Sequence, residues 1–463
     1  MKQSQILYEG SIRKKYLFFA IPLILSSLIS QSYSFINLMM IGKFLGSEAF
    51  AATAVTAELL ECFNSIFYGY LTGVGIYVSI LFGKRDYEKM LNVIKVNFLI
   101  TFTVALMISL TCNIFLDQIF NILNVNDEVY KNAEIYFRIF TSGYVIHQFL
   151  WGLLYFLNGM GNTVTPMVTS IITGVINIAL NYLFLAVLNK GIAYSAISTL
   201  ISSTIAVISY FTIFIKFFKN NKVRLTGFKF SKEMLKKSID YGIPSMIQQM
   251  SLYGCAAFVS PLTNTCSTAA LAGYSVANRA RSVIATIYQN STKANTTFIS
   301  QAMGAEKIDK LKSGIKIGVT QGLTFFGVTM AVFAIFANKF TSLFLDPTTD
   351  TESFTVCVNI IRFLFPLIFF NVFNNLFHGI FRAVGSGKLM VISSFIYAIS
   401  YIVYAHILFA VLPYELRIYG VHLALSGAYI TEVIFAAYIF ISGKWKSPEY
   451  IRLEQKMKNS QKA

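Results

Sequence analysis

Apolar stretches of about twenty residues or more recur from one end of this chain to the other, and that recurrence decides its fold class. Twelve runs lie at about 17–41, 51–82, 92–116, 134–158, 166–188, 192–218, 239–263, 271–302, 311–344, 356–381, 389–411 and 416–442 of the 463 residues. A hydrocarbon slab of about 30 Å takes roughly 20 helical residues to cross, so each run is long enough to span a bilayer. Only helices or a closed barrel satisfy every backbone N–H and C=O group in lipid, and long runs without period-2 alternation exclude the barrel. The expected fold is therefore an all-α membrane protein with twelve transmembrane helices. A composition of 55% hydrophobic and 13% charged residues excludes soluble domains of the same length. The first run is too long, and too polar at its far end, for a cleaved signal peptide, so it is expected to remain as a span.

The formal charge of +17 is explained by its placement. The N-terminus, the even-to-odd loops and the C-terminus hold 28 of the 38 Lys and Arg residues, eight of them between Lys216 and Lys237. The opposite loops hold Lys43, Lys131, Lys190, Lys339 and Arg417. Positive residues stay on the cytoplasmic side, which puts both termini there, as an even number of spans requires. The basic excess thus reports topology, with anionic-lipid contact as a second use, and nucleic acid is not an expected partner. Cys62, Cys112, Cys255, Cys266 and Cys357 form no CxxC or Cys/His pattern, so neither a disulfide frame nor a metal site is expected. No nucleotide loop or catalytic constellation is present, which argues against an enzyme.

The chain also repeats itself. "VSILFGKRDYEKML" (78–91) aligns with "ISQAMGAEKIDKLK" (299–312) at an offset of 221, which sets Gly83 on Gly304 and Lys89 on Lys310. "FAIPLIL" and "YGIPSMI" open spans 1 and 7 alike, with Pro22 and Pro244 read as helix-start prolines. "NGMGNTVTP" (158–166) and "RAVGSGKLM" (382–390) pair the ends of spans 4 and 10. The interval holds an even number of helices, so the two halves are parallel repeats, the arrangement in which substrate sits at a two-lobe interface. The expected domains are an N-terminal six-helix lobe at 1–218, a basic connector at 219–238, a C-terminal six-helix lobe at 239–443 and a basic tail at 444–463. The connector is expected to carry a short amphipathic surface helix, "SKEMLKKSID".

Two pseudo-symmetric six-helix bundles, with "PLILSSLISQSYSFINLMMIGKFLG" in span 1, "GVINIALNYLFL" in span 5 and the pairs just quoted, resemble the multidrug and toxic compound extrusion (MATE) transporters along nearly the whole chain. The resemblance implies a V-shaped pair of lobes and a secondary active exporter of organic compounds, an antiporter driven by protons or sodium ions. It implies no cofactor beyond that ion. Small molecules and lipid are its partners, and a monomer in the plasma membrane, multi-pass, is its expected form. Bacterial members of the family usually carry acids where this chain has Asn37 and Asn181. An amide keeps the shape and hydrogen bonds of a carboxylate but cannot titrate. Asn177 and Thr199 match other polar positions of the N-lobe, and an amide and hydroxyl cluster joining spans 1, 5 and 6 is one reading of all four. Substrate contact is the other.

Remaining intramembrane charges are costly and are functional candidates by default. Span 2 carries Glu58, Glu61, Ser65, Tyr68, Thr72, Gly75 and Ser79 at helical spacing, and the repeat maps them onto Arg279, Ser282, Thr286, Gln289, Lys293, Thr296 and Ser300 of span 8. Glu58, Glu61, Arg279 and Lys293 are candidates for ion coupling or a charged gate. Lys293, deep in its span, favours anionic or zwitterionic cargo. Gln248 and Gln249 of span 7, Gln289 of span 8, and Asn374 and His378 of span 10 complete the candidate cavity residues; Glu432, Arg281 and Arg362 are further charges inside the spans. Two other functions stay open: a flippase for a lipid-linked saccharide, and a transport-dead membrane binder or sensor.

Overall fold

The structure, a computed structural model, describes residues 7–122, 125–227 and 230–460. Every regular element among them is helical. Ten of the twelve expected runs lie within single or nearly single helical rods: Ile12–Leu45, Ser47–Lys84, Tyr87–Ile114, Val164–Asn181 continued by a π-helical turn Tyr182–Val187, Ala193–Asn220, Lys232–Thr263, Thr268–Gly304, Ile308–Ile335, Gly387–Val411 and Arg417–Ile441. Span 4 is broken at Gly143 into Asp127–Ser142 and Tyr144–Gly159. Span 10 passes from Thr351–Asn359 through a π turn Ile360–Leu364 and a 3-10 turn Phe365–Ile368 into Phe369–Ala383. Pro366 lies in that tight turn, where its missing N–H interrupts the α-helical ladder. Among the described residues nine rods are long and apolar enough to cross a membrane by length and composition; spans 4, 7 and 8 fall short through polar content and the break at Gly143, while remaining helical.

Two expectations change. Pro22 and Pro244 lie inside helices Ile12–Leu45 and Lys232–Thr263 and not at their starts, because both helices begin about one to two turns before their apolar stretch. For the same reason "SKEMLKKSID" is no separate surface helix: from Lys232 it forms the first turns of span 7.

The sequence repeat is a repeat of backbone geometry. Spans 2 and 8 both end on a left-handed residue, Arg85 (φ 61°) and Glu306 (φ 60°), 221 positions apart. The closing bonds match as well, with Asp86 N–H donating to Leu81 O (3.1 Å) and Lys307 N–H to Ala302 O (2.9 Å). Spans 4 and 10 close through Gly161 (φ 73°) and Gly385 (φ 84°), the positions that need a residue free of a Cβ.

Contacts divide the described chain into two compact units, Ile21–Gly242 in the first and Leu7–Ala20 with the residues from Ile243 onward in the second. The start of span 1 therefore belongs to the second unit. Tyr16 donates to Ser291 O (2.5 Å), Leu7 N–H donates to Gln301 Oε1 (2.9 Å), and Lys307 lies over the Tyr8 ring. The start of span 7 belongs to the first. Tyr241 stacks on Tyr77 at 5.5 Å, Asn97 donates to Ser238 Oγ (2.9 Å), and Lys89 pairs with Glu233. A Cβ at Gly73 would lie 2.1 Å from Tyr241 O, so this approach requires glycine.

The basic tail contains a helix, Pro448–Ser460, held against the second unit. Glu454 bridges Lys446 (2.8 Å) and Lys312 (3.1 Å), Lys456 pairs with Glu306, and Trp445 stacks on Phe440 at 5.0 Å. The hydrogen bond from Lys446, helped by that from Lys312, holds the Glu454 carboxyl below the usual carboxylate range. A depressed folded-state value means that stabilisation is present above the unfolded value of about 4.3 and is lost as pH falls through the folded one. Acidification below about pH 4 should therefore loosen the tail helix, read as a red shift of Trp445 emission in a Trp151→Phe background. Glu454→Gln should show the loosened emission already at pH 7, and an unshifted spectrum would remove the clasp.

Candidate functional site

In the first unit the asparagines of spans 1 and 5 meet. Asn37 donates to Asn177 Oδ1, and Asn181 donates to Asn177 O (3.1 Å) and to Asn37 Oδ1 (3.3 Å). Asn177 and Asn181 are buried one turn apart on span 5, and Asn37 is half-buried. Thr199 stands outside the group and bonds back to Ser195 O in its own helix (3.2 Å). The trio is neutral throughout, so it can hold helices or hydrogen-bond a ligand but cannot exchange a proton.

The faces of spans 2 and 8 are less uniform than their spacing suggests. Glu58 is exposed and Glu61 half-buried within electrostatic reach of Tyr144. Ser65 and Gly75 are buried, and the backbone of Gly75 lies so close to Gly159 that a Cβ there would meet Gly75 O at 2.6 Å. The lower part of that face is thus helix packing inside the unit. On span 8, Arg279 is exposed with its guanidinium 5.9 Å from the Phe344 ring, and Lys293 is exposed, its ammonium making no hydrogen bond or ion pair among the described residues. Gln289 is half-buried, whereas Thr296 is buried against Gly379. Glu134 and Arg138 pair one turn apart at 2.9 Å, as their spacing suggests.

The second unit gathers a chain of polar groups from spans 7, 10, 11 and 12. Arg382 Nη2 donates to Gln248 Oε1 (2.6 Å), and Gln248 Nε2 lies 3.0 Å from His378 Nδ1. His378 Nε2 is 2.9 Å from Glu432 Oε1, and Ser393 donates to the same oxygen (3.1 Å). Arg382 only donates, which fixes the Gln248 amide with its oxygen toward Arg382 and its NH₂ toward the imidazole. In the neutral ring Nδ1 therefore accepts and the proton sits on Nε2, the nitrogen facing the carboxylate. The Nε2 to Oε1 approach is a close charge contact whose alignment falls short of a hydrogen bond. His378 is 5% exposed and Glu432 2%, which makes this a titratable pair inside an apolar bundle. Asn374, one turn before His378, donates to Tyr429 O (3.2 Å). Gln249 is half-buried and outside the chain of contacts.

Sequence reasoning marked Gln248, Asn374 and His378 but left Glu432 among the unassigned charges. A lone acid in the last span was the signal, and its partner, 54 positions away, is set by how spans 10 and 12 pack.

The sequence pattern of the MatE family matches residues 22–183 and 244–407. The chain is 26% identical over 345 residues to the probable multidrug resistance protein YoeA of Bacillus subtilis, covering 73% of this chain and 74% of that protein. It is 24% identical over 394 residues to the multidrug export protein MepA of Staphylococcus haemolyticus, covering 84% and 85%. A solved outward-facing multidrug resistance MATE transporter superposes with a TM-score of 0.85 over 98% of each chain at 20% identity, a likeness of fold.

Interhelical hydrogen bonds in membranes contribute about 0.6 to 2 kcal/mol each, so Asn177→Ala, which removes the hub of the amide trio, should cost about 1–3 kcal/mol. Thr199→Val should cost less than about 1 kcal/mol, because its hydroxyl serves only its own helix. Thermal unfolding of the purified variants tests the contrast, and equal melting temperatures would show that the trio does not hold spans 1 and 5.

Proposed function

The chain belongs to the MatE family of membrane transporters, and on that premise we propose that it is a secondary active exporter of amphipathic organic compounds, driven by proton entry through the His378–Glu432 pair. It is a multi-pass membrane transporter and not an enzyme. The coupling assignment rests on one observation, the buried 2.9 Å contact between an imidazole and a carboxylate on two different helices. Such a pair can take up one proton and release it when its surroundings change, and His is the side chain whose charge ordinarily changes near neutral pH. The groups facing it are Gln248 and Arg382 on one side and Ser393 on the other, with Tyr429 and Cys255 within electrostatic reach of Glu432. Arg382 is the nearby fixed cation in this chain of contacts, and it reaches the imidazole through Gln248.

Asn37 and Asn181 stand where the resemblance puts acids, so coupling through the first lobe is replaced in this reading by coupling through the second. Export follows by alternating access of two six-helix lobes. The names of YoeA and MepA support drug-like cargo. The exposed cation Lys293 favours anionic or zwitterionic members of that class. We place the protein as a monomer in the plasma membrane with both termini cytoplasmic, on the distribution of Lys and Arg.

Proteoliposomes with an imposed pH gradient and no sodium gradient test the coupling. Wild type should accumulate a fluorescent amphipathic anion such as dansylglycine in response to the gradient, and Glu432→Gln and His378→Gln should each reduce the initial rate at least tenfold. Asn181→Leu should retain gradient-driven transport. Transport that follows sodium and ignores pH, or that survives both dyad substitutions, would overturn the assignment.

A further inference from the structure

Span 8 carries a cation that the mechanism above does not use. Arg281 is half-buried in the second unit, and its Nε donates to Asn278 Oδ1 three positions back at 3.0 Å. Among the described residues its terminal Nη groups make no hydrogen bond and it has no carboxylate partner. Glu432, the buried acid of this unit, is already engaged by His378 and Ser393. A guanidinium inside a bundle without a counter-ion is costly, and such a residue marks a ligand or ion pathway.

The groups around Arg281 are aromatic and polar in a consistent way. Tyr274, Tyr288, Tyr397 and Tyr429 lie within electrostatic reach of it, from spans 8, 11 and 12. Tyr397 stacks on Tyr429 at 5.1 Å and 15°, giving a flat wall. His422 also lies within reach of Arg281, 2% exposed, between the rings of Tyr274 (5.2 Å) and Phe365 (5.5 Å). Neither ring nitrogen of His422 has a hydrogen-bond partner among the described residues, and neither does the hydroxyl of Ser426, one turn further along span 12 and also 2% exposed. Buried polar groups are paired in nearly all native structures, so two unpaired side chains one turn apart, one of them, His422, within reach of an uncompensated cation, require an explanation.

We infer that Arg281, His422 and Ser426 form a binding site within the second unit for an organic monoanion with a flat apolar body, an aromatic carboxylate. The carboxylate accepts from the Arg281 Nη groups and from Ser426 or the imidazole, and the ring lies against the tyrosines. The site names a cargo class for the proposed exporter and rests on that reading only for the direction of travel, since binding itself needs neither a gradient nor the His378–Glu432 pair.

The probe pair is 2-naphthoate and 2-naphthamide, which share the ring system and differ in charge. Titration calorimetry on the full chain in nanodiscs, in gluconate buffer, should show naphthoate binding at least tenfold tighter than the amide. Arg281→Gln should erase that preference by weakening naphthoate at least tenfold while leaving the amide within about twofold. Ser426→Ala, a substitution small enough to preserve the fold, should weaken naphthoate about threefold or more. Bound naphthoate should also raise the melting temperature of wild type, as any ligand of the folded state does. Equal affinity for the two probes in wild type, or undiminished naphthoate binding in both variants, would overturn the site. Excess chloride or sulfate displacing naphthoate competitively, with the amide bound as tightly, would reassign the pocket to inorganic anions and equally overturn it. Because no gradient is applied, failure here leaves proton coupling untouched, and failed coupling leaves this site untouched.

Discussion

Hydrocarbon offers no hydrogen-bond partner, and in this molecule that single constraint sorts every polar side chain within the spans. Many Ser and Thr residues close on their own helix, as Thr56 does to Ala52 O, Ser202 to Ser198 O and Ser300 to Thr296 O. These residues are satisfied before any tertiary contact forms. A smaller set reaches across helices, in the asparagine trio of spans 1 and 5 and in the line from Arg382 to Ser393. Among the described residues a dozen side chains keep an open buried polar atom, and of these His422 stands out because both of its ring nitrogens are unpaired within reach of Arg281.

The two units share a backbone and differ in chemistry. Left-handed residues end spans 2 and 8 at the same offset, and glycines close spans 4 and 10 in the same way. Side chains set within that common frame have diverged. One unit holds three amides in contact, the other an imidazole facing a carboxylate. Helix geometry is fixed by backbone bonds that all residues supply, so a repeat can keep its frame while its polar interior is rewritten.

How much of this was legible in the sequence follows from the same distinction. The rods were readable because apolar length measures a membrane crossing. Their ends were not, since Pro22 and Pro244 lie well inside helices that run on into polar sequence, and apolar composition marks the hydrocarbon and not the last helical bond. Periodicity showed that Ser65, Gly75, Lys293 and Thr296 share faces, but not that Gly75 packs on span 4 while Lys293 stays exposed. Asn37, Asn177 and Asn181 could be grouped through the family resemblance. His378 and Glu432 could not, because the rotation of span 10 against span 12 is a property of packing and leaves no mark in either segment alone.

The exchange of helix starts between the units bears on how the protein is made. Leu7 and Tyr16 leave the ribosome 294 and 275 residues ahead of their partners, Gln301 and Ser291. The first turns of span 1 must therefore wait, inserted but undocked, until span 8 has been synthesised. Span 7 meets the reverse situation, since Asn97 and Tyr77 are already in place when Ser238 and Tyr241 appear. Among the described residues the second unit is not a continuous piece of chain and the first ends inside span 7, so the first six spans alone complete neither unit.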